Sequence, residues 1–153
     1  MLVRSILVLF VVFLVCGCLS SSRNNGGGAG LSAEEHAVLA VADRVQKGDE
    51  LTDRDWQDLV GRFERTTDAG VHATILATMA MLENPSPERR ADMAGLAKRH
   101  LGRGLPQGNL SAVLVLQRVG DPAWREHAVR GMQSPDPMTR DLYRSRFGEL
   151  LPP

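Results

Sequence analysis

Histidine and cysteine are the side chains best suited to act as bases, nucleophiles or metal ligands, and this chain of 153 residues contains four histidines and two cysteines. The histidines are His36, His72, His100 and His127. No His-x-x-x-His or His-Glu-x-x-His spacing joins them, and neither a Gly-x-Ser-x-Gly turn nor a Gly-Lys-Ser/Thr phosphate loop occurs. The motifs therefore predict no metal site, no small-molecule cofactor and no catalytic residues.

Both cysteines follow an apolar segment at the N-terminus. Arg4 precedes residues 6–15, a strongly apolar run of ten residues, whereas a helix that spans a bilayer needs about 20. A basic start, a short apolar core and an exit of small residues are typical of a secretory signal peptide. Because Cys16 and Cys18 lie together at that exit, the rest of the chain has no cysteine for a disulfide or a thiolate metal site.

The exit Val15-Cys16-Gly17-Cys18 resembles the lipobox of bacterial lipoproteins. The resemblance implies that residues 1–17 are removed as a signal peptide and that Cys18 becomes the first residue, carrying palmitate-type acyl chains. Two or more acyl chains hold a protein stably at a bilayer. The expected location is therefore the cell envelope, at the outer membrane or at the periplasmic face of the inner membrane. An uncleaved anchor helix and ordinary cleavage near Gly17 are the alternatives.

A flexible tether is predicted over residues 18–30. Beyond Leu19 this range contains no large apolar side chain and five glycines or alanines in succession. Such a segment cannot bury enough surface to offset the entropy of ordering it. As a flexible coil it reaches roughly 20 Å, which would let the following domain move away from the membrane surface.

A helical domain is predicted over residues 31–153, where apolar residues recur with helical spacing. The clearest stripe consists of Trp56, Leu59, Val60 and Phe63. The range 71–82 has no charged residue and is expected inside the fold. The side chains expected to cap helix starts are Ser32, Thr52, Asp68, Ser86, Asn109, Asp121 and Asp136. We predict an all-α fold of about seven helices, either a short α-solenoid or an irregular helical bundle.

Two proline-containing segments match each other at a constant offset of 50 residues. Residues 82–90 and 132–140 share two prolines and an arginine at equivalent positions. Together with the segment 116–123, they resemble HEAT-type repeats, particularly the short variant found in phycobilisome-lyase-like proteins, over residues 82–151. The resemblance implies stacked helical hairpins. It does not imply the lyase chemistry of one branch of those proteins.

Arginines recur near the starts of predicted helices. Arg90, Arg125 and Arg140 each stand four residues after a predicted cap, where a positive charge opposes the helix dipole. We expect bonds that compensate each charge, most simply to acidic or carbonyl groups of the neighbouring repeat, with anion capture and a solvated position as alternatives. Trp56 and Trp124 are expected in the core, and the alternative is an exposed position at a binding groove.

The charges are balanced overall but unevenly distributed. A formal net charge of zero argues against a nucleic-acid partner. Residues 31–84 contain eleven acidic and five basic residues, a net charge of −6, whereas residues 85–153 contain seven and eleven, a net charge of +4. Solvated faces of both signs account for this difference. Alternatively, the basic half docks on an anionic surface.

These features together predict a membrane-tethered protein of the cell envelope that binds another envelope protein through a face of its helical repeats, without catalysis. The alternative is a small envelope enzyme, or an enzyme accessory factor, with a site in the groove of the repeats. A third hypothesis is an assembly factor for outer-membrane machinery. The membrane, through the lipid anchor, and an envelope protein are the predicted partners.

Overall fold

The computed structural model describes residues 32–104 and 108–151, and over these ranges the chain forms seven α-helices and no strand. The helices are α1 (Ala33–Gln46), α2 (Asp53–Arg65), α3 (Ala69–Met81), α4 (Pro87–Gly102), α5 (Asn109–Val119), α6 (Ala123–Met132) and α7 (Pro137–Phe147). The all-α prediction and its number of helices are confirmed for this part of the chain. The predicted signal peptide, the tether and Cys18 lie outside the described residues.

Most helices begin at the predicted caps. The Ser32 hydroxyl accepts a hydrogen bond from the backbone N–H of Glu35 (3.1 Å), and the Glu35 carboxylate accepts one from the N–H of Ser32 (2.7 Å). Thr52 and Asp55 form the same capping box at α2. The carboxylates and hydroxyl that cap three other helices belong to Asp68, Ser86 and Asp136. At α6 the N-cap is Pro122 rather than the predicted Asp121, whose carboxylate accepts a hydrogen bond from the N–H of Ala123. Local sequence decides where these helices begin, because each bond satisfies an N–H without a partner in its helix.

Helix α5 begins differently from the prediction. Asn109, the expected cap, is the first residue of the helix, and Gly108 precedes it with a φ of 82° and without a side-chain bond. A Cβ at Gly108 would lie 2.9 Å from Ala73 and 3.1 Å from Nε2 of His100. Glycine lets the chain pass close to α3 in a left-handed conformation. The predicted cap is wrong because helices distant in sequence, rather than the local residues, constrain this turn.

Helix α3 lies at the centre of the fold, between α1 and α5. Eight of its thirteen residues are buried, in agreement with the prediction for this uncharged segment. The hydroxyl groups of its two buried threonines both form hydrogen bonds. Thr74 donates to the Gly70 carbonyl (2.9 Å) and Thr78 donates to the Thr74 carbonyl (2.8 Å).

Alternate helices stack in parallel. Gly108 lies beside Ala73 near the start of α3, and Arg118 donates to the Ala80 carbonyl near its end (3.1 Å), so α3 and α5 run in the same direction. Helices α2 and α4 are also parallel, because their side-chain contacts advance together along both helices. These contacts are Arg89 with Asp53, Trp56 with Asp92 and Arg99 with Glu64.

Helices α6 and α7 close the stack as an antiparallel hairpin. The rings of Trp124 and Phe147 lie 5.7 Å apart. Gly131, which is further along α6, faces Tyr143, which is earlier in α7, so the two helices run in opposite directions. Helix α6 packs against α5, which joins the hairpin to the preceding layers. The contacts thus join α1, α3 and α5 in one row and continue through α6 to α7. Membership of the HEAT family stays a prediction.

Candidate functional site

A groove of about 2120 Å³ crosses the stack over α1, α3, α5 and the terminal hairpin. Helix α3 presents small residues to it at helical spacing, namely Gly70, Ala73, Ala77 and Ala80. The walls formed by α5 and α7 consist of larger residues, which include Leu110, Leu114, Arg118, Met138, Leu142 and Arg146. Residues three or four apart share one face of a helix, so the small residues leave space that the larger ones enclose.

Charge changes sign along this groove. The part lined by residues 35–89 has five acidic side chains and two basic side chains. The acids are Glu35, Asp49, Glu50, Asp68 and Glu83, and the bases are Lys47 and Arg89, of which Arg89 pairs with Asp53. The half lined by residues 108–146 has three arginines and one carboxylate, namely Arg118, Arg130, Arg146 and Asp136. The acidic and basic halves of the sequence thus contribute to the lining of the same groove.

Arg118 and Arg146 lie in the basic half without a carboxylate partner among the described residues. Arg118 uses its Nε to bond to the Ala80 carbonyl at 3.1 Å. The pKa of Arg146 is lowered, first because neighbouring groups partly shield its guanidinium from water and second by the positive charge of Arg118. The third arginine, Arg130, pairs with Glu126 at 2.8 Å. Two guanidiniums without a counter-ion in the described part of the chain can donate hydrogen bonds to carboxylate or phosphate oxygens in this half of the groove.

The predicted site arginines bind within their own hairpins. Arg90 donates to the Pro85 carbonyl (2.9 Å) and Arg140 donates to the Ser134 carbonyl (3.2 Å), both in the loop before the helix that carries the arginine. The guanidinium of Arg125 lies over the ring of Trp124 at 5.2 Å from its centroid. Within residues 32–104 and 108–151, the expected bonds from these arginines to a neighbouring repeat are not formed. In both proline-containing loops, a backbone carbonyl accepts a hydrogen bond from the arginine that stands four residues after the cap.

Other side chains join α2 to α4. Arg89, beside the predicted Arg90, donates to Asp53 (2.7 Å) and to the carbonyl of Leu51 (3.1 Å). Its guanidinium also lies over the ring of Trp56, 5.4 Å from the centroid. Sequence reasoning missed this contact, although residues 53, 56 and 64 and residues 89, 92 and 99 follow nearly the same spacing.

Both tryptophans lie in the core rather than at the surface of the groove. Trp56 is 7% exposed and donates from Nε1 to Asp92 at 3.1 Å, and Trp124 is 9% exposed. Lys98 and Asp121 form a further bridge between α4 and the start of α6, at 2.6 Å. Neither indole is exposed as a platform for a ligand, so their contacts stabilise the stack.

Two buried histidines form the main titratable cluster in the core. The rings of His72 and His100 meet edge to face with centroids 5.8 Å apart, and His72 also stacks on Phe63 at 4.2 Å. His72 Nε2 lies 3.0 Å from the Phe63 carbonyl, and Arg103 Nη1 lies 3.1 Å from the same nitrogen. Burial is the main cause that lowers the pKa of His72. Both rings are fully enclosed, so a substrate cannot reach them.

Three further observations bear on function. Over residues 32–104 and 108–151, no group of three or more His, Cys, Asp or Glu side chains could hold a metal ion. None of the helices in the same ranges has both the length and the hydropathy to cross a bilayer. Comparison with protein-family models, with curated proteins and with solved structures found no match.

Proposed function

We propose that this protein is a membrane-tethered lipoprotein of the cell envelope and that its helical stack binds another envelope protein in the groove, without catalysis. The observation that carries the proposal is the size and extent of the groove, about 2120 Å³ across four layers of helix. Pockets for small molecules are typically about 300 to 1,000 Å³. The larger volume suits a peptide segment or a helix of a partner.

The side chains of the groove favour binding over catalysis. His127 is the histidine among its described lining residues, and over residues 32–104 and 108–151 no serine forms a hydrogen bond with that ring. A nucleophile needs a base within hydrogen-bond distance to be activated. The small, apolar and oppositely charged surfaces of the groove instead resemble those of a docking site, where apolar contacts supply affinity and charges set orientation.

The membrane part of the proposal depends on the N-terminal segment. The apolar run at 6–15, the exit ending at Cys18 and the glycine-rich range 18–30 support a lipid anchor followed by a tether. In this arrangement the anchor keeps the groove within reach of envelope proteins. The tether lets the stack turn to meet a partner.

Site-specific photo-crosslinking in the native envelope tests the docking surface. A photoreactive amino acid is placed at Met138, which is 80% exposed and lines the groove, and, as a matched control, at Val129, which is 40% exposed on the same hairpin but does not line the groove. We expect position 138 to capture a distinct protein that position 129 does not capture. The proposal is wrong if the two positions capture the same proteins or if position 138 captures none.

A second candidate is a small envelope enzyme or enzyme accessory factor that acts on an anionic substrate. The observation in its favour is that His127 shares the basic half of the groove with Arg118 and Arg146. In such a site the guanidiniums would hold the substrate and the imidazole would transfer a proton. Turnover of phosphate or carboxylate esters by the purified protein, abolished by His127→Gln, would support this candidate over the scaffold.

A further inference from the structure

We infer that the basic half of the groove takes a segment of the partner that combines apolar side chains with carboxylates. This inference rests on the proposed function and specifies the chemistry of the partner. It assigns the carboxylates to Arg118 and Arg146. It assigns the apolar side chains to the walls formed by Leu114, Met138 and Leu142.

The two walls repeat one pattern. Helix α5 presents Leu110, Leu114 and Arg118 to the groove, and α7 presents Met138, Leu142 and Arg146. In each helix two apolar residues and then an arginine follow at intervals of four, and the two sets are offset by 28 residues. Residues at this interval lie on one face of a helix. Both walls therefore carry an apolar part that ends in a guanidinium.

Both guanidiniums belong to residues near the C-terminal ends of their helices. Arg118 is in the last turn of α5 and Arg146 is in the last turn of α7. Both arginines line the groove, and the positive charge of Arg118 is the second cause that lowers the pKa of Arg146, after partial burial. The helix dipole favours an arginine at each of these helix ends. No counter-ion in the described part of the chain offsets the repulsion between Arg118 and Arg146. Carboxylates of an occupant would relieve it through charge-assisted hydrogen bonds.

The apolar part of the walls includes one highly exposed side chain. Met138 is 80% exposed, the largest exposed fraction among the large hydrophobic side chains of the described residues. Methionine is flexible and polarisable, so it adapts to apolar side chains of different shapes. An occupant that follows both walls would place its apolar residues against Met138 and Leu142 and its acidic residues beyond them.

A peptide fits this surface better than a lipid headgroup layer. The apolar residues and arginines of α5 and α7 line the inside of a groove. A bilayer surface attracts basic residues that project from a protein toward its plane. A narrow segment with a carboxylate end can reach both walls at once. The test must therefore distinguish binding of a peptide from binding of a lipid headgroup layer.

Peptide binding to the full-length, lipidated protein in detergent micelles tests the inference. The probe is a synthetic labelled peptide with a leucine-rich half and a glutamate-rich half, compared with the same peptide carrying Gln in place of every Glu. We expect fluorescence anisotropy to report binding of the Glu peptide that weakens as salt is raised. Arg146→Gln should reduce the affinity about tenfold, as the loss of one charge-assisted hydrogen bond does.

Matched variants make the result specific. Arg144→Gln removes an equal charge from the same helix at a residue that does not line the groove, and it should change the affinity less than about twofold. Met138→Ser should weaken binding, whereas Val129→Ser should not. Circular dichroism confirms that each variant keeps its helical fold. Equal losses for Arg144→Gln and Arg146→Gln, or equal binding of the Glu and Gln peptides, would overturn the inference.

Two further outcomes separate this inference from the proposed function. If vesicles of phosphatidylglycerol bind in an Arg146-dependent way and the Glu peptide does not, the basic half recognises headgroups and the inference is wrong. If Met138 captures a partner by crosslinking but the Glu peptide fails to bind, the acidic-segment inference fails while the docking function stands. Absence of a crosslinked partner overturns the docking function itself.

Discussion

Replacement of Gly131 by alanine should destabilise the hairpin that forms one wall of the groove. Gly131 faces the ring of Tyr143, and a Cβ at this position would lie 2.1 Å from Cδ1, 2.3 Å from Cε1 and 2.5 Å from Cγ. Ordinary contacts begin at 3.4 Å, so the nearest ring atom would have to move by 1.3 Å, the difference between 3.4 and 2.1 Å. Tyr143 is 4% exposed and packs against the fully buried Phe147, which leaves the ring little room.

The magnitude follows from two opposing effects. Overpacking a core usually costs about 1 to 3 kcal/mol, and an overlap with three ring atoms places this case near 3 kcal/mol. Alanine has a better helix propensity than glycine by about 1 kcal/mol. For Gly131→Ala we therefore expect the free energy of unfolding to fall by about 2 kcal/mol.

Urea unfolding of the chain expressed from residue 19 onward, followed by circular dichroism, measures this change. Gly95→Ala is the matched control, because Gly95 lies inside α4 and the nearest atom to its added Cβ is Arg99 Nη1 at 3.6 Å. That control should gain up to about 1 kcal/mol. In a Tyr143→Leu background, Gly131→Ala should cost less than about 0.5 kcal/mol, because the ring is gone. If Gly131→Ala were as stable as Gly95→Ala, the packing of α6 on α7 described above would be wrong.

Three further predictions concern His72 in the core, the ion pair between α1 and α2, and the lipid anchor. Burial lowers the pKa of His72 below its ordinary value of 6.5, so the unfolded chain takes up the proton first as the pH falls. The contribution of His72 to the free energy of unfolding should therefore be complete above that value and decline as the pH falls below it. Urea unfolding at a series of pH values should show a smaller decline for His72→Gln than for the unaltered chain. Asp55 accepts two hydrogen bonds from Arg44, at 3.1 and 2.7 Å. In urea unfolding, Asp55→Ala should therefore lower the free energy of unfolding by about 1 to 3 kcal/mol. Asp58→Ala removes an exposed ion pair within one helix and should lower it by about 0.5 kcal/mol or less. Cys18→Ala should move the protein out of the membrane fraction or block its processing, and an unchanged partition in cell fractionation would refute the lipid anchor.

The helical elements could be predicted because their signals are local. A capping residue acts on N–H groups two or three positions away, as Ser32 and Thr52 do. The apolar stripe of α2 and the uncharged α3 likewise indicate burial without reference to any partner. The start of α5 could not be predicted in this way, because Gly108 responds to Ala73 and His100, which are distant in sequence.

The contacts between hairpins were harder to predict than the helices. Arg90 and Arg89 are adjacent in sequence, but the helix turns their side chains in different directions. The first reaches back to the Pro85 carbonyl, and the second bridges to α2. The recurrence of arginine four residues after a cap identified Arg90 and Arg140, which bond to the loop before their own helix. The bridging residue has no such motif, because its partners belong to another hairpin.

By itself the sequence determined the helices, the uneven charge and the N-terminal pattern that predicts a lipid anchor. Each of these depends on neighbouring residues or on simple composition, so their physical cause lies within one segment. Only the tertiary structure decided that the arginine ends of α5 and α7 line one groove and that His72 and His100 meet in the core. Such contacts depend on how helices pack, because packing places residues far apart in the chain within a few ångströms of one another.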